Sequence, residues 1–330
     1  MKLREIRLPD DLVTVMNAAA VIFQYPDHPE WSMQPDEQAQ MTEGMRNIRR
    51  MWPVFRMLQP FSSQLRDILR GFVWEDKGAV VGIATAQKLD TTQTWLIGAV
   101  GLLPEYRGKS LASKMLRATL DLVQSRGGKR VRLGMFATNH PARALYDRMG
   151  FEEYDGSIGF TMEPQKVVAP PVLPDGYESL PLGRFEWRPR LALDQRISPQ
   201  RLQKYEPLVE ARYREPLAIR AIVPLILRAQ GIRDETLAIR VRGTQEIVAW
   251  TGCDAIVRRS GPNSIRARID PAHPQLAAYA LQYALHRATA LAPDKRITFA
   301  ARTWMPDLLA AADVLGLERK TESLSLGLTL

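Results

Sequence analysis

The spacing of apolar residues along this chain predicts strands and helices in a definite order. A continuous apolar run over 95–103 indicates a strand, and apolar residues recurring every three or four positions from Leu111 to Val123 indicate an amphipathic helix. Gly127 and Gly128 end that helix. A second strand over 129–136, a short helix over 141–148 and a last strand over 157–162 follow.

The second half of the chain repeats this order. Strands are predicted over 265–269 and 295–300, and helices over 276–291 and 306–314. Pro104 and Pro271 lie 167 positions apart, and Gly150 and Gly316 lie 166 positions apart. One nearly constant offset predicts two copies of a single α/β unit.

The early part of the first copy adds two helices and a hairpin. Asp10 and Asp11 mark the start of a helix after Pro9, and a second helix is predicted over 36–58. Strands over 71–75 and 79–86, joined by a tight turn, form the hairpin. Each unit is therefore predicted to belong to the α/β (α+β mixed) class.

A proline-rich segment divides the chain. Pro164, Pro170, Pro171 and Pro174 remove backbone donors that a helix or a central strand needs, so the segment is predicted to be extended. We expect a working domain over 1–165, a linker over 166–177 and a second domain over 178–330.

The amino-acid composition indicates a globular protein and argues against a membrane-spanning or secreted one. The chain of 330 residues is 45% hydrophobic and 25% charged, which is ordinary for a globular protein, and no apolar run reaches the roughly 18 residues of a membrane span. The start of the chain is charged and lacks a secretory signal pattern. Cys253 is the single cysteine and is predicted to be a core thiol, and the four histidines show no metal-ligand spacing. We therefore expect a cytoplasmic protein with no membrane partner and no metal.

The net charge of +9 raises the question of nucleic acid. Residues 1–165 carry +2 and residues 166–330 carry +7, so the excess lies in the second half. Its densest points are arginine pairs at alternate positions: Arg188 with Arg190, Arg212 with Arg214, and Arg266 with Arg268. This spacing suits the solvent face of a strand as well as a phosphate track. We favour a solvated basic face and do not expect a nucleic-acid partner.

The segment 103–113, between a predicted strand and a predicted helix, carries candidate chemistry. Gly108 with the small residues Ser110 and Ala112 suits a turn whose backbone N–H groups face open space, where a phosphate can approach. The cationic side chains of Arg107 and Lys109 can add charge-assisted hydrogen bonds.

This segment resembles the pyrophosphate loop of the GNAT superfamily of acyl-CoA N-acyltransferases. The family pattern Arg/Gln-x-x-Gly-x-Gly/Ala corresponds to Arg107, Ser110 and Ala112, with Ser110 in place of the first glycine. The likeness continues in residues typical of the family's last cofactor-contacting helix: Asn139, Ala142, Leu145, Tyr146, Met149, Gly150 and Phe151. Strands and helices also follow the family's order over about 70–162. The resemblance implies two tandem GNAT-like units, each a mixed, mostly antiparallel sheet flanked by helices.

The resemblance implies an acetyl-CoA site and a role for each matching residue. Tyr146 would act as general acid toward the thiolate of coenzyme A, and Asn139 would reach the pantetheine or the acyl carbonyl. Backbone groups would bind the pantetheine at Val100, Gly101 and Leu102, and the pyrophosphate at Arg107, Gly108, Lys109, Ser110, Leu111, Ala112 and Ser113. Two structural alternatives stay open, namely that Tyr146 only packs and that Asn139 only caps the following helix.

The general base and the acceptor site are less defined. No ionisable residue occurs over 95–103, and Arg132 is the one such residue in the strand over 131–136. The remaining candidates for the general base are an ordered water and a group on the loop that contains Asp27, His28 and Glu30. A set of loop and helix aromatics is a candidate acceptor wall or a packing cluster: Tyr25, Trp31 and Trp52.

The second copy lacks these features. Its loop over 271–277 has no glycine or arginine, Pro274 removes a donor, and Ala312 stands where the first copy has Tyr146. We therefore expect residues 178–330 to be a degenerate copy that completes the sheet or walls the acceptor site. Known tandem members of the superfamily, mycothiol synthase among them, similarly keep one working copy.

Three functions are consistent with the sequence. The first is an N-acetyltransferase that moves an acetyl group from acetyl-CoA directly to a primary amine of a small molecule or peptide. The second is a non-catalytic acyl-CoA-binding or interaction protein, and the third is an aminoacyl-tRNA-dependent transferase. Tyr146 and Asn139 favour the first over the second, and the loop over 107–113 favours it over the third.

Overall fold

In the computed structural model, which describes residues 1–32, 34–61, 63–88, 92–164, 167–215 and 217–330, the chain divides into two units. Unit 1 consists of Met1–Tyr154 together with Leu324–Leu330, and unit 2 consists of Asp155–Ser323. The sequence-based division placed the boundary at the proline-rich segment, whereas in the structure the first part of unit 1 ends at Tyr154 and the last seven residues of the chain also belong to unit 1.

The elements of unit 1 follow the predicted order. They are β1 (Lys2–Glu5), α1 (Asp11–Ile22), α2 (Pro35–Leu58), α3 (Ser63–Arg66), β2 (Arg70–Asp76), β3 (Ala79–Gln87), β4 (Thr94–Leu102), α4 (Leu111–Ser125), β5 (Arg130–Phe136) and α5 (His140–Arg148).

Unit 2 contains more helices ahead of its repeat. Its elements are β6 (Glu152–Met162, of which 152–154 lie in unit 1), β7 (Tyr177–Pro181), α6 (Trp187–Ile197), α7 (Gln200–Gln203), α8 (Glu210–Tyr213), α9 (Leu217–Ala229), β8 (Ile232–Val241), β9 (Ile247–Ile256), β10 (Asn263–Ile269), α10 (Leu276–Leu291), β11 (Ile297–Arg302), α11 (Pro306–Val314) and β12 (Glu318–Thr329).

The sheets are mixed and mostly antiparallel. In unit 1 the strand order is β1-β2-β3-β4-β5, with the carboxyl-terminal part of β12 beside β5, and β4–β5 pair in parallel. In unit 2 the order is β12-β6-β11-β10-β9-β8-β7, and β10–β11 pair in parallel. The predicted fold class is confirmed.

Helix α4 shows why the spacing of apolar residues predicted the positions of the helices correctly. Its residues Leu111, Met115, Leu116 and Val123 are buried and recur every three or four positions, so one face of the helix packs on the sheet. In unit 2, α10 buries an equivalent stripe against β9 and β10. Cys253 on β9 is fully buried, and burial raises the pKa of its thiol to about 12, which confirms a core role.

The repeat predicted from the offset is present. Helices α4 and α10 each follow a strand that pairs in parallel with the next strand over three positions. Helices α5 and α11 each end before a glycine with positive φ, Gly150 at 85° and Gly316 at 77°.

The proline-rich segment, which is part of unit 2, packs against α10. Residues 167–174 form no helix or strand, as predicted, and residues 165–166, where the linker was expected to begin, lie outside the described residues. The backbone N–H of Val168 donates to Thr289 Oγ1 at 3.0 Å, and its carbonyl oxygen lies 2.7 Å from His286 Nδ1. These contacts tie the segment to α10.

The arginine pairs do not share the predicted strand face. Arg188 and Arg190 lie on helix α6, and Arg212 lies in α8. Only Arg266 and Arg268 occupy a strand, β10, and both are partly buried. In the described part of the chain no helix is long and apolar enough to cross a membrane.

Candidate functional site

Strands β4 and β5 separate at the centre of unit 1. Their parallel pairing covers three positions, from Thr94 with Arg130 to Leu96 with Arg132. Further along β4, Val100, Gly101 and Leu102 pair with β3 on the other side. The edge of β4 that faces β5 is therefore left without strand pairing at the three residues predicted to bind pantetheine.

Gly101 permits a close approach of α1. A Cβ atom at this position would collide with the side chain of Ile22 and press on the ring of Phe23. The end of α1 thus packs directly on the backbone of β4, and this packing requires glycine.

The loop after β4 presents free backbone donors. Gly108 has φ 73° and Ser110 has φ 56°, so two left-handed residues turn the chain into α4. Among the described residues, no protein acceptor takes a hydrogen bond from any backbone N–H between Gly108 and Ser113. Such a set of donors at the start of a fifteen-residue helix forms an anion-binding nest.

The two loop cations are engaged by the protein. The guanidinium of Arg107 donates to the carbonyl oxygens of Leu102 at 3.2 Å and Ile22 at 3.4 Å, and lies 5.2 Å from the ring centroid of Tyr25. Lys109 Nζ donates to the Glu105 carbonyl at 2.9 Å. Arg107 therefore joins the loop to the end of α1, a role that the sequence pattern did not suggest.

Tyr146 is buried on α5. Its ring meets Phe151 edge-on at 5.5 Å, and its hydroxyl has no hydrogen-bond partner in the described chain. Burial, followed by the influence of Tyr25, raises the pKa of this phenol well above its usual value. The hydroxyl therefore stays available to hydrogen-bond a ligand.

Asn139 caps α5. Its Oδ1 accepts from the backbone N–H of Ala142 at 3.1 Å. The capping alternative raised from the sequence is therefore confirmed for this oxygen, and the contact of Asn139 with a pantetheine or an acyl carbonyl stays a prediction.

Aromatic residues gather on the loop between α1 and α2. Trp31 meets Tyr25 edge-on at 5.5 Å and stacks on His28 at 3.8 Å. Its indole N–H donates to Thr138 Oγ1 at 2.9 Å, which ties the loop to the turn before α5. Trp52, the third predicted aromatic, lies on α2. The contact of Thr138 with this loop was not predicted, because a single hydroxyl residue in a turn has no recognisable sequence pattern.

The candidate bases lie on the same loop. His28 is exposed, and its Nδ1 is 3.2 Å from Glu30 Oε1. Asp27 is exposed as well. Within the described residues no group of three or more His, Cys, Asp or Glu side chains is arranged to hold a metal ion.

The corresponding loop of unit 2 is closed by internal hydrogen bonds. The backbone N–H of Ala272 donates to Asp270 Oδ1 at 3.0 Å, and those of His273 and Ala277 donate to the carbonyls of Asp270 and Pro274. Ala312, at the position of Tyr146, is fully buried. Unit 2 thus offers neither the open donors nor the phenol of unit 1.

Comparisons with known proteins find similarity to acetyltransferases within unit 1. The profile of the acetyltransferase (GNAT) family matches residues 30–151. The chain is 34% identical over 64 residues to N-alpha-acetyltransferase 30 of Schizosaccharomyces pombe, and 42% identical over 55 residues to the uncharacterized N-acetyltransferase YycN of Bacillus subtilis. These matches span 43% and 35% of the length of those relatives and 19% and 17% of this chain.

Solved structures match the whole chain. A tandem GNAT protein from the clavulanic acid biosynthesis pathway superposes with a TM-score of 0.65 at 11% identity, covering 99% of this chain and 98% of its own. A GCN5-related N-acetyltransferase from Sphaerobacter thermophilus gives a TM-score of 0.60 at 10% identity, covering 99% and 95%. Residues 30–151 of the chain are therefore similar to the GNAT acetyltransferase family, and the fold of the chain is that of a tandem GNAT protein.

Proposed function

We propose that this protein is an acetyl-CoA-dependent N-acyltransferase that acetylates a primary amine directly, with its active site in unit 1. The observation that carries the proposal is the set of unpaired backbone donors from Gly108 to Ser113 beside the separation of β4 and β5. This arrangement offers a phosphate-binding nest next to unpaired strand peptides, as an elongated ligand with a pyrophosphate and an amide-bearing arm requires.

The residues present fit acetyl-CoA. The backbone N–H groups of Gly108, Lys109, Ser110, Leu111, Ala112 and Ser113 would hold the pyrophosphate, and no side chain fills the space beside Gly108. The peptides of Val100, Gly101 and Leu102 would hold the pantetheine arm, and Asn139 would contact it or the acyl carbonyl. When bound, acetyl-CoA supplies the acetyl group and a thiol leaving group.

Tyr146 supplies the proton in this proposal. Its raised pKa keeps the proton on Oη throughout the neutral range. Because a phenol is a weaker acid than a thiol, the hydroxyl acts by a hydrogen bond to the leaving sulfur that becomes a proton transfer as the C–S bond breaks. Buried surroundings strengthen that hydrogen bond.

Removal of the proton from the amine falls to water or to the exposed loop. Strand β4 has no ionisable side chain, so no base stands on the strand beside the proposed thioester position. In this proposal an ordered water accepts the proton and passes it toward Asp27, His28 and Glu30, which lie on the loop between α1 and α2. The names of the two curated relatives, both N-acetyltransferases, support an amine as the acceptor.

The test is a screen of amine acceptors with the full-length protein. Peptides with free amino termini, polyamines, amino sugars and amino acids are incubated with acetyl-CoA, and thiol release is followed. We expect release that depends on one class of amine and that falls strongly in Tyr146→Phe. Tight acetyl-CoA binding without acceptor-dependent release from any class would contradict the proposal and favour the non-catalytic acyl-CoA-binding function.

A further inference from the structure

One arginine from each of the three alternate-position pairs in residues 166–330 lines a single cavity in unit 2. The cavity has a volume of about 290 Å³. Its cations are Arg190 of α6, Arg212 of α8 and Arg266 of β10, joined by Arg184. Positions 76 residues apart in the sequence therefore converge, which a solvated basic face would not require.

Aromatic side chains form much of the remaining lining: Phe185, Trp187, Tyr213 and Trp250. The guanidinium of Arg190 lies 5.9 Å from the ring centroid of Trp250, within reach of a cation–π contact. The cavity thus combines planar apolar surface with a concentration of guanidinium groups.

Three of the four arginines that line the cavity form ion pairs with carboxylates. Arg184 and Arg266 both pair with Asp234, at 2.7 and 2.6 Å, and Arg266 also pairs with Asp254 at 2.8 Å. Arg212 pairs with Glu206 at 2.7 Å. The described lining carries four arginines and two carboxylates, Asp234 and the exposed Glu215, and two of these arginines also pair with Asp254 and Glu206 outside the lining.

Arg190 is the arginine without a carboxylate. Its guanidinium donates to the Arg184 carbonyl at 2.6 Å, and no carboxylate of the described chain lies within hydrogen-bond distance of it. Burial lowers the pKa of Arg190, which reflects the cost of holding a half-buried cation there. A bound anion would offset that cost.

Two further donors in the lining have no acceptor. Within the described chain, the buried Nε1–H of Trp250 and the buried Nε–H of Arg266 have no hydrogen-bond partner. A buried donor without a partner lowers the stability of the folded protein. These two donors and the guanidinium of Arg190, which has no carboxylate partner in the described chain, belong to residues that line the same cavity.

We propose that this cavity binds a small organic anion with a planar apolar body, such as an aromatic carboxylate or an aromatic phosphate ester. Carboxylate and phosphate oxygens accept the paired hydrogen bonds that arginine donates. The planar body would lie against the aromatic lining, and the volume is close to the lower end of the range typical of small-molecule sites. No residue of the proposed acetyl-CoA site takes part.

The experiment uses the full-length protein labelled with ¹⁵N at its tryptophan indoles. Benzoate and phenyl phosphate are the anionic probes, and benzylamine is the cationic control of similar shape. Trp250→Phe identifies the Trp250 indole signal. We expect a saturable shift of that signal with at least one anion and none with benzylamine; the tighter of the two anions identifies the headgroup chemistry.

Two substitutions on one helix make the test specific. Arg190→Gln should weaken binding of the anion at least tenfold, whereas Arg188→Gln, on the exposed face of α6, should leave it unchanged. Unchanged positions of the other indole signals show that Arg190→Gln has folded. Trp250→Phe keeps a ring but removes the donor, and calorimetry should show affinity reduced several-fold.

Three results would overturn the proposal. They are the absence of a saturable shift with either anion at tens of millimolar, an equal shift with benzylamine, and wild-type anion affinity in both Arg190→Gln and Trp250→Phe.

Discussion

Tyr146 is the residue on which the proposed chemistry depends. Replacement by Phe keeps the ring and its contact with Phe151 but removes the proton donor. We expect the turnover rate to fall by roughly ten- to a hundred-fold or more, since general acid catalysis contributes about 10² to 10⁴, while the affinity for acetyl-CoA is retained. Steady-state kinetics with an identified amine, with Tyr154→Phe as a buried-tyrosine control, checks this. Unchanged turnover in Tyr146→Phe would assign the proton to water or to another group.

Ser110 occupies the position where the family pattern has glycine. Its φ of 56° places a side chain in the left-handed region, which costs a non-glycine residue about 1–2 kcal/mol. A β-branched residue fits this region worst, so Ser110→Val should lower the free energy of unfolding clearly, whereas Ser110→Gly should not. Urea unfolding followed by tryptophan fluorescence measures both.

The matched control for this pair is Ser113→Val, three residues further on in the right-handed first turn of α4. Its cost should be limited to a few tenths of a kcal/mol of helix propensity. Equal destabilisation by Ser110→Val and Ser113→Val would contradict the left-handed geometry of the loop.

At the scale of elements, the loop between α1 and α2 is held by one hydrogen bond to the turn before α5. Thr138→Val keeps the shape of that side chain but removes the acceptor of the Trp31 indole. A hydrogen bond of this kind is worth about 0.5–1.5 kcal/mol, so we expect the KM for the amine to rise about two- to tenfold while the KM for acetyl-CoA stays constant. The exposed Thr14→Val on α1 is the control. Equal changes in both Michaelis constants would exclude a role of this loop in the acceptor site.

Elements with strong periodicity were predictable from the sequence. Helices α10 and α11 have the predicted bounds, and α4 begins at the predicted residue, because each buries one regular apolar stripe or carries clear end signals. Strand β12 was not predicted, since its residues over 318–323 are mostly charged or hydroxylic and show no apolar alternation. Helix α9 was obscured by Pro224 within it.

The parts of the candidate site that have a local sequence pattern were predictable. The loop over 107–113 and the phenol of Tyr146 carry recognisable patterns, and the structure places both in unit 1. The engagement of the Arg107 guanidinium with the Ile22 carbonyl was not predictable, because it joins positions 85 residues apart that share no pattern. The convergence of Arg190, Arg212 and Arg266 on one cavity was not predictable either, because the spacing within each arginine pair does not place one pair beside another.

At the scale of the whole molecule, unit 1 depends on the end of the chain. Leu326 is fully buried in the same cluster as Trp95 and Tyr146. Leu326→Ala should therefore destabilise unit 1 by about 2–5 kcal/mol, and a fragment over 1–165 should fail to bind acetyl-CoA. The temperature at which acetyl-CoA binding is lost measures the effect, with the exposed Val314→Ala as control. A fully active fragment over 1–165 would contradict this dependence.

Tandem repetition raises the question of how many acyl-CoA sites one chain contains. Unit 1 presents open donors from Gly108 to Ser113, whereas the counterpart in unit 2 is closed by its own hydrogen bonds and by Pro274. We expect the second copy to contribute architecture and acceptor selection, without a second acetyl-CoA site.

Calorimetric titration of the full-length protein with acetyl-CoA tests this account most directly. Lys109→Glu places a carboxylate on the exposed loop of unit 1, and Lys114→Glu makes the same exchange on the exposed side of α4, beyond the loop. We predict one acetyl-CoA per chain, an affinity reduced at least tenfold in Lys109→Glu, and wild-type affinity in Lys114→Glu. Two acetyl-CoA molecules per chain, or equal affinities in the two variants, would contradict it.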